Sequence, residues 1–126
     1  MTGKKKILLI DDDPLVLESL EIFLKRAGYD VITAQSAVQG IKLAETSDFN
    51  LMISDIRMPG KNGVETAKEI QSKLIDAGKK SPLPIIFITG YAELSEEIHA
   101  NFFGKLLYKP IDNDELLTAI RDFTVK

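Results

Sequence analysis

The sequence predicts an α/β fold, a doubly wound five-stranded parallel sheet with helices on both faces. Short apolar runs alternate with longer segments of helical periodicity along the 126 residues. The runs Ile7–Ile10 and Ile85–Ile88 are apolar throughout, which is typical of strands buried on both faces of a parallel sheet. Because crossovers between parallel strands are right-handed, successive helices cover both faces. A chain of this length is expected to form one domain over residues 1–126.

Five runs are predicted to be strands, and the first is followed by a well-marked helix. The runs are Lys6–Ile10, Tyr29–Ala34, Leu51–Ser54, Pro84–Thr89 and Lys105–Tyr108. The helix is expected to start after Asp13, a capping residue, with Pro14 in the first helical position, where a missing N–H costs nothing. Gly28 is placed to end this helix in a left-handed conformation. Its apolar face is predicted to be Val16, Leu20, Phe23 and Ala27.

Four more helices are predicted, one of them weakly. Ser36 can cap the second, the third runs from about Val64 to Ala77, and the fifth starts near Asn113. The positions predicted to be buried in these three helices are Val38, Ile41, Leu43, Val64, Ala67, Ile70, Leu74, Leu116, Leu117, Ile120 and Phe123. Between the fourth and fifth strands, Ser95–Phe103 offers only about two helical turns, so the fourth helix is expected to be short or irregular.

Composition excludes several classes of function. The formal net charge of −3 argues against a nucleic-acid or anionic-membrane binder, and the basic run Lys4–Lys6 is interpreted as a solvated lead-in to the first strand. There is no cysteine, which rules out disulfides and thiolate metal sites. No apolar run has the length of a membrane span or a signal peptide. A cytoplasmic protein is therefore expected.

Polar residues stand where the predicted strands end. Asp11–Asp13 follow the first strand, Asp55 the third, Thr89 ends the fourth, and Lys109 follows the fifth. Ligands of open α/β sheets bind beyond the carboxyl ends of the strands. We therefore expect these carboxylates, the hydroxyl and the amine to converge on one edge of the sheet.

This set of side chains favours metal-assisted phosphoryl chemistry. Crowded carboxylates repel one another, and a hard divalent cation resolves the repulsion. Oxygen ligands suit Mg²⁺, with Mn²⁺ as an alternative. The cation and the amine of Lys109 would together neutralise a phosphoryl group, and a carboxylate can be the nucleophile. Asp55, alone at the end of a central strand, is the preferred acceptor, with Asp11 and Asp12 holding the cation.

Each residue also has a structural interpretation. Asp13 precedes Pro14 and is more easily explained as a helix cap than as a ligand. Thr89 alone could be an ordinary strand-end residue, and Lys109 alone a solvated charge. His99 has no partner pattern around it and is interpreted as a surface or structural residue. What favours a site is the convergence of the other groups at one sheet edge.

Four segments resemble the receiver domains of response regulators in two-component signalling. Asp55–Gly63 is similar to that family's phosphoacceptor loop, which reads Asp-x-x-Met-Pro-x-x-Asp/Asn-Gly. Ile7–Pro14 resembles its first strand and acidic pair, Phe87–Gly90 its hydroxyl position, and Tyr108–Pro110 its lysine–proline. The similarity extends from about Lys5 to Phe123 and implies the sheet order 2-1-3-4-5.

The resemblance implies a metal site built around the acidic pair. Asp55 corresponds to the phosphorylated aspartate and also to a metal ligand. Asp12 corresponds to a direct ligand of Mg²⁺ and Asp11 to a neighbour that acts through a metal-bound water. The backbone carbonyl of Arg57 would be a further ligand.

The resemblance also implies roles for the residues around the phosphoryl group. Thr89 would bind one phosphoryl oxygen and Lys109 another, and the Lys109–Pro110 bond corresponds to one that is usually cis. The phosphodonor would be a sensor histidine kinase or a histidine phosphotransfer protein. Phosphorylation would change partner binding through the region from the fourth strand to the fifth, in a monomer or a phosphorylation-dependent dimer. Such a domain catalyses only its own phosphorylation and dephosphorylation.

Three departures from the family pattern concern how the phosphate is sensed and lost. Leu106 stands where receivers commonly carry Tyr or Phe, with Tyr91 and Tyr108 as substitutes nearby. The stretch between Thr89 and Lys109 is short for the family, in line with a weak fourth helix. The bulky Arg57 and Tyr91 occupy positions that tune dephosphorylation, so a long-lived phosphoryl group is predicted.

Two other classes of protein would explain part of the sequence. An aspartate-nucleophile phosphatase of the haloacid-dehalogenase type would use the Asp-x-Asp of Asp11–Asp13, but it leaves Asp55–Gly63 unexplained and the chain has no room for a cap. A flavodoxin-like cofactor binder would need a Ser/Thr/Gly phosphate loop after the first strand, where this chain has carboxylates. Met1 and the end of the chain soon after the fifth helix favour a stand-alone or N-terminal receiver.

Overall fold

The computed structural model describes residues 4–79, 82–90 and 104–124. Its strands are β1 (Lys6–Ile10), β2 (Asp30–Ala34), β3 (Leu51–Asp55), β4 (Ile85–Thr89) and β5 (Gly104–Tyr108). Its helices are α1 (Pro14–Arg26), α2 (Ala37–Thr46), α3 (Gly63–Asp76) and α4 (Asn113–Thr124). The weak helix predicted over Ser95–Phe103 lies outside the described residues, so α4 here corresponds to the fifth predicted helix.

The strands form one parallel sheet in the order β2-β1-β3-β4-β5, which confirms the predicted topology. β3 is central, with Ile10 of β1 opposite Ser54 and Ile88 of β4 opposite Asp55. Residues that follow β1 and β3 are therefore neighbours at the carboxyl edge of the sheet.

Two apolar cores lie on opposite faces of the sheet, because successive strand residues point to opposite sides. The core under α2 and α3 comprises Leu8, Ile10, Ala34, Ile41, Ala44, Met52, Ile56, Met58, Val64, Ala67, Ile70, Leu83, Ile85, Phe87 and Leu106. The core under α1 and α4 comprises Ile7, Leu9, Leu17, Leu20, Leu24, Val31, Leu51, Ile53, Ile86, Ile88, Leu107, Leu116, Ala119 and Ile120. Ile7–Ile10 of β1 and all residues of β4 are buried, as their continuous apolar runs predicted, and all residues of β3 are buried as well.

The predicted apolar face of α1 was partly wrong. The buried residues of this helix are Leu17, Leu20 and Leu24, while Val16 and Phe23 are only partly buried. Ala27 is exposed because the helix has ended there, so the helical period no longer applies to it.

Other predicted core positions at the margins of the helices also differ. Val38 is 66% exposed in α2, because it lies off the face formed by the buried residues Ala37, Gly40, Ile41 and Ala44. Four further positions are only partly buried at the rims of the two cores: Leu43, Leu74, Leu117 and Phe123.

No helix in the described ranges is long and apolar enough to cross a membrane.

The helix ends are defined by local hydrogen bonds. The Asp13 carboxylate accepts from the backbone N–H of Leu15 at 2.9 Å, and Gly28 has a φ of +104°, both as predicted. At the start of α3, the Asn62 side chain accepts from the Glu65 N–H and the Glu65 carboxylate accepts from the Asn62 N–H. This capping box holds the first turn of α3 beside the end of β3.

Candidate functional site

Three carboxylates meet at the carboxyl edge of the sheet. Asp11 follows β1, Asp12 comes next, and Asp55 is the last residue of β3. An oxygen of each carboxylate lies within 4.8 Å of the others. Asp11 and Asp55 are buried, with 4% and 7% exposure, whereas Asp12 is exposed. The convergence expected from the strand ends is therefore present in the folded chain.

Asp11 is held rigidly and its charge is disfavoured. Its backbone N–H donates to the carbonyl of Ala34 at 3.1 Å, and its Oδ1 accepts from the N–H of Asp13 at 2.9 Å. Burial raises the pKa of Asp11 to about 6, an effect that the hydrogen bond from Asp13 opposes and the nearby charge of Asp55 increases. Without a cation, this cluster carries more negative charge than its buried position favours.

Lys109 supplies the positive charge of the site. Its Nζ lies 3.3 Å from Oδ2 of Asp55. The backbone N–H of Lys109 donates to the carbonyl of Thr89 at 2.9 Å, which fixes the chain as it leaves β5. The Lys109–Pro110 peptide bond is cis, as the resemblance implied.

Thr89 lies at the same edge of the sheet. It is the last residue of β4 and is buried, one position beyond Ile88, the residue that pairs with Asp55. Its partner on β5 is Tyr108, which is 45% exposed, whereas Leu106 pairs with Phe87 inside the core. An aromatic side chain therefore stands directly across from the hydroxyl position, although the usual aromatic position is taken by a buried leucine.

The remaining candidates differ in how they relate to the cluster. Arg57 is exposed and stands two residues beyond Asp55, in the loop between β3 and α3. Asp13 caps α1, in agreement with its structural interpretation. Tyr91 and His99 lie outside the described residues.

Two residues that sequence reasoning had not singled out contact the main chain of Asp55. The hydroxyl of Ser54 donates to the carbonyl oxygen of Asp55 at 2.8 Å. Gly63 packs so closely on the same carbonyl that a Cβ there would overlap the oxygen. A lone polar residue within an apolar strand, and a glycine at the start of a helix where it weakens the helix, are the signals that could have pointed to them.

The donor set fits a hard divalent cation. All three side chains offer oxygen, two of the three are buried, and burial, with a smaller contribution from the charge of Asp55, raises the pKa of Asp11, so a cation would stabilise its charged form. Mg²⁺ binds with few protein carboxylates and completes its shell with water, for which the exposed position of Asp12 leaves room.

Comparison with known proteins agrees with this geometry. The family model described as "Response regulator receiver domain" matches residues 7–121. The chain belongs to the response regulator receiver domain family, whose members are signalling switches of two-component systems.

Individual relatives and solved structures are similar over nearly the whole chain. The transcriptional regulatory protein GlrR of Escherichia coli (strain K12) is 35% identical over 118 residues, which are 92% of this chain and 25% of GlrR. The chemotaxis protein CheY4 of Vibrio cholerae has a TM-score of 0.84 at 26% identity, covering 96% of this chain and 99% of CheY4. The response regulator TrrA of Thermotoga maritima, solved in complex with Mg²⁺–BeF, has a TM-score of 0.82 at 30% identity, covering 94% and 98%.

The match to curated relatives covers only part of those proteins. The chain spans a quarter of the length of GlrR and 57% of the transcriptional regulatory protein FixJ of Bradyrhizobium diazoefficiens, which is 32% identical over 95% of this chain. The similarity therefore concerns the receiver portion of such regulators.

Proposed function

We propose that this chain is a phosphorylation switch in which Asp55 accepts a phosphoryl group in a Mg²⁺-dependent reaction. The observation that carries the proposal is the cluster itself: three carboxylates with oxygens within 4.8 Å of one another and a lysine amine 3.3 Å from the central one. A cation at this position, Mg²⁺ or Mn²⁺, supplies charge neutralisation of phosphoryl oxygens.

In the proposed reaction, the donor is a phosphohistidine of a sensor histidine kinase or a histidine phosphotransfer protein. A carboxylate oxygen of Asp55 forms a bond to phosphorus while the P–N bond of the donor breaks, and the released imidazole nitrogen takes up a proton from water. Asp11 and Asp12 hold the cation, with the backbone carbonyl of Arg57 as a further ligand. No substrate other than the phosphoryl donor is turned over.

Lys109 and Thr89 are proposed to bind the transferred group. The Lys109 amine already pairs with Asp55, so it is in place to bind a phosphoryl oxygen once that carboxylate is phosphorylated. The Thr89 hydroxyl ends the neighbouring strand and would bind another oxygen. Because Thr89 pairs with Tyr108, a movement of Thr89 toward the phosphoryl group would affect β5 first.

The output is proposed to be a change in partner binding over the region from β4 to β5. Phosphorylation biases a two-state element there, with a downstream protein as the target and without direct contact to nucleic acid or membrane. The domain is proposed to span residues 1–126, to work in the cytoplasm, and to act as a monomer or a phosphorylation-dependent dimer.

The test uses the whole chain with acetyl phosphate or beryllofluoride, with and without Mg²⁺, followed by backbone NMR and phosphate labelling. We expect Mg²⁺-dependent shifts spreading from Asp55 to Thr89 and Leu106, and no labelling of Asp55→Asn. Equal labelling of Asp55→Asn would refute the proposal. If Asp11→Asn abolishes labelling and Asp55→Asn does not, the phosphatase-type chemistry on the first strand is the better description.

A further inference from the structure

Ser54 is a buried polar residue in an otherwise apolar stretch. The three residues before it in β3, Leu51–Ile53, are fully buried hydrophobics, and Ser54 itself has no exposure. A hydroxyl buried in such a place is tolerated only when it has a hydrogen-bond partner. Its partner is the carbonyl oxygen of Asp55, at 2.8 Å, so the hydroxyl is tied to the main chain of the proposed acceptor.

The pairing between β3 and β1 ends at Ser54. The register between β1 and β3 ends at the pair Ile10–Ser54, and the next N–H of that chain, from Asp11, donates to Ala34 of β2. The carbonyl of Asp55 therefore lies past the last paired residue of β1. The Ser54 hydroxyl replaces the ladder contact that a continuing strand would provide.

The other side of the same peptide is held by β4 and α3. The N–H of Ile56, which belongs to this peptide, donates to the carbonyl of Ile88 at 3.2 Å, and the N–H of Gly63 donates to the carbonyl of Ile56, on the next peptide, at 2.8 Å. Gly63 also lies directly against the Asp55 carbonyl, where no side chain fits. The peptide that follows Asp55 is thus fixed by β4, by α3 and by Ser54.

We infer that Ser54 is a positioning residue for phosphoryl transfer, acting through the peptide that follows Asp55. Its hydrogen bond sets the plane of that peptide, and the peptide sets the direction in which the Asp55 carboxylate points. Transfer to phosphorus requires the attacking oxygen in line with the leaving group, so small errors in direction reduce the rate. This inference rests on the proposed acceptor role of Asp55.

The expected effect is on the rate of transfer and not on binding of the phosphodonor. Loss of the hydroxyl keeps the acceptor carboxylate but lets it turn out of line with the leaving group, so the maximal rate of phosphorylation should fall. Because Asp55 is also a proposed ligand of the cation, the comparison is made at saturating Mg²⁺. A purely structural role would instead lower stability and leave the rate of the folded protein unchanged.

The experiment compares Ser54→Ala with the wild-type chain in phosphorylation by acetyl phosphate at saturating Mg²⁺. We expect a maximal rate lower by about five- to tenfold, a loss smaller than the ~100-fold that a misplacement of about 1 Å can cause, with the half-saturating acetyl phosphate concentration unchanged. Ser54→Thr restores a hydroxyl and should return most of the rate. If the NMR spectrum shows that Ser54→Ala is unfolded, Ser54→Cys, with a weaker donor of similar size, takes its place with the same expected direction.

Thr124→Val is the matched control. Its hydroxyl is also buried and donates to a main-chain carbonyl, that of Ile120 at 2.8 Å, but it lies in the last turn of α4, at the opposite edge of the sheet. This variant should lose stability without losing rate. A wild-type rate in folded Ser54→Ala, or a Ser54→Thr as slow as Ser54→Ala, would overturn the inference alone, whereas equal labelling of Asp55→Asn would overturn the acceptor role and the inference together.

Discussion

The amine of Lys109 lies 3.3 Å from the Asp55 carboxylate, across the width of β4. Asp55 is the last residue of β3, and Lys109 directly follows β5. These two strands are separated by β4, and the two side chains meet beyond its carboxyl end. Counting side-chain atoms alone, Asp55 is 8% exposed and Lys109 38%. The lysine therefore compensates a buried charge while its own amine remains partly accessible for a second anionic partner.

Replacing Lys109 is predicted to change the binding of a phosphoryl analogue and the binding of Mg²⁺ in different ways. In Lys109→Met, we expect beryllofluoride to bind at least about tenfold more weakly, because a charge-assisted bond to the phosphoryl analogue is lost. Mg²⁺ binding without the analogue should be kept or strengthened, since three clustered carboxylates have lost a competing cation. Titrations followed by NMR or calorimetry measure both affinities.

The control for this prediction is Lys105→Met, which removes an exposed lysine from the start of β5 without touching the cluster. It should leave both affinities unchanged. Weaker Mg²⁺ binding in Lys109→Met would contradict the charge argument.

Binding of Mg²⁺ should weaken below about pH 6. The pKa of Asp11 is raised to about 6, mainly by burial, so below this pH the cation must displace a proton from the carboxyl group. Affinity should then fall by up to about tenfold per pH unit, provided that Asp11 contributes to the site. Asp30→Asn, which alters an exposed carboxylate at the start of β2, should keep the same pH profile.

The raised pKa of Asp11 also predicts how the stability of the protein depends on pH. The dependence has the opposite sign to that of an acid whose pKa is lowered by a salt bridge. Between about pH 4 and pH 6 the folded chain holds a proton on Asp11 that the unfolded chain has released, so metal-free stability falls as pH rises through this window. Relative to wild type, Asp11→Asn should gain about 2–3 kcal/mol between these limits in the free energy of unfolding. Urea unfolding at several pH values measures the difference, and parallel pH profiles for the two proteins would count against it.

Gly63→Ala should destabilise the protein by about 1–3 kcal/mol. The added methyl group meets the carbonyl of Asp55 and the Cα of Ile56, which are main-chain atoms and cannot turn aside as a flexible side chain would. Gly90→Ala is the control, because a Cβ at that position meets no atom of the described residues within 4 Å. Thermal or urea unfolding of both variants measures the loss of stability. Equal losses would show that close packing at Gly63 is not the cause.

Arg57→Ala should shorten the life of the phosphoryl group several-fold. The arginine is exposed in the loop two residues after Asp55, where a long side chain can hinder the approach of water to the phosphorus. Release of inorganic phosphate from the labelled protein after removal of the donor measures this lifetime. Lys61→Ala, which removes another exposed cation from the same loop, should leave it unchanged; rapid release from the wild-type chain would contradict the prediction of a long-lived state.

Local patterns predicted the helix caps and the strands well, and the margins of the helices less well. Asp13 and Gly28 act at the ends of α1 as their residue types suggested, because capping depends on a few neighbouring atoms. Ala27 and Val38 are predicted in the core but are exposed, because Ala27 lies past the end of α1 and Val38 lies off the buried face of α2. Leu106 lies in the core, which agrees with an aliphatic residue in place of the usual aromatic one.

The sequence by itself determined the α/β class, the position of each strand end and the chemical groups that follow it, since these depend on periodicity and residue type along the chain. Only the tertiary structure decided how those groups act on one another. The burial of Asp11 that raises its pKa and the pairing of Lys109 with Asp55 depend on segments that the sheet brings together, and the turn from β3 into α3 brings Gly63 against the Asp55 carbonyl. Distances and burial between such segments arise from the packing of the whole chain, and no local pattern encodes them.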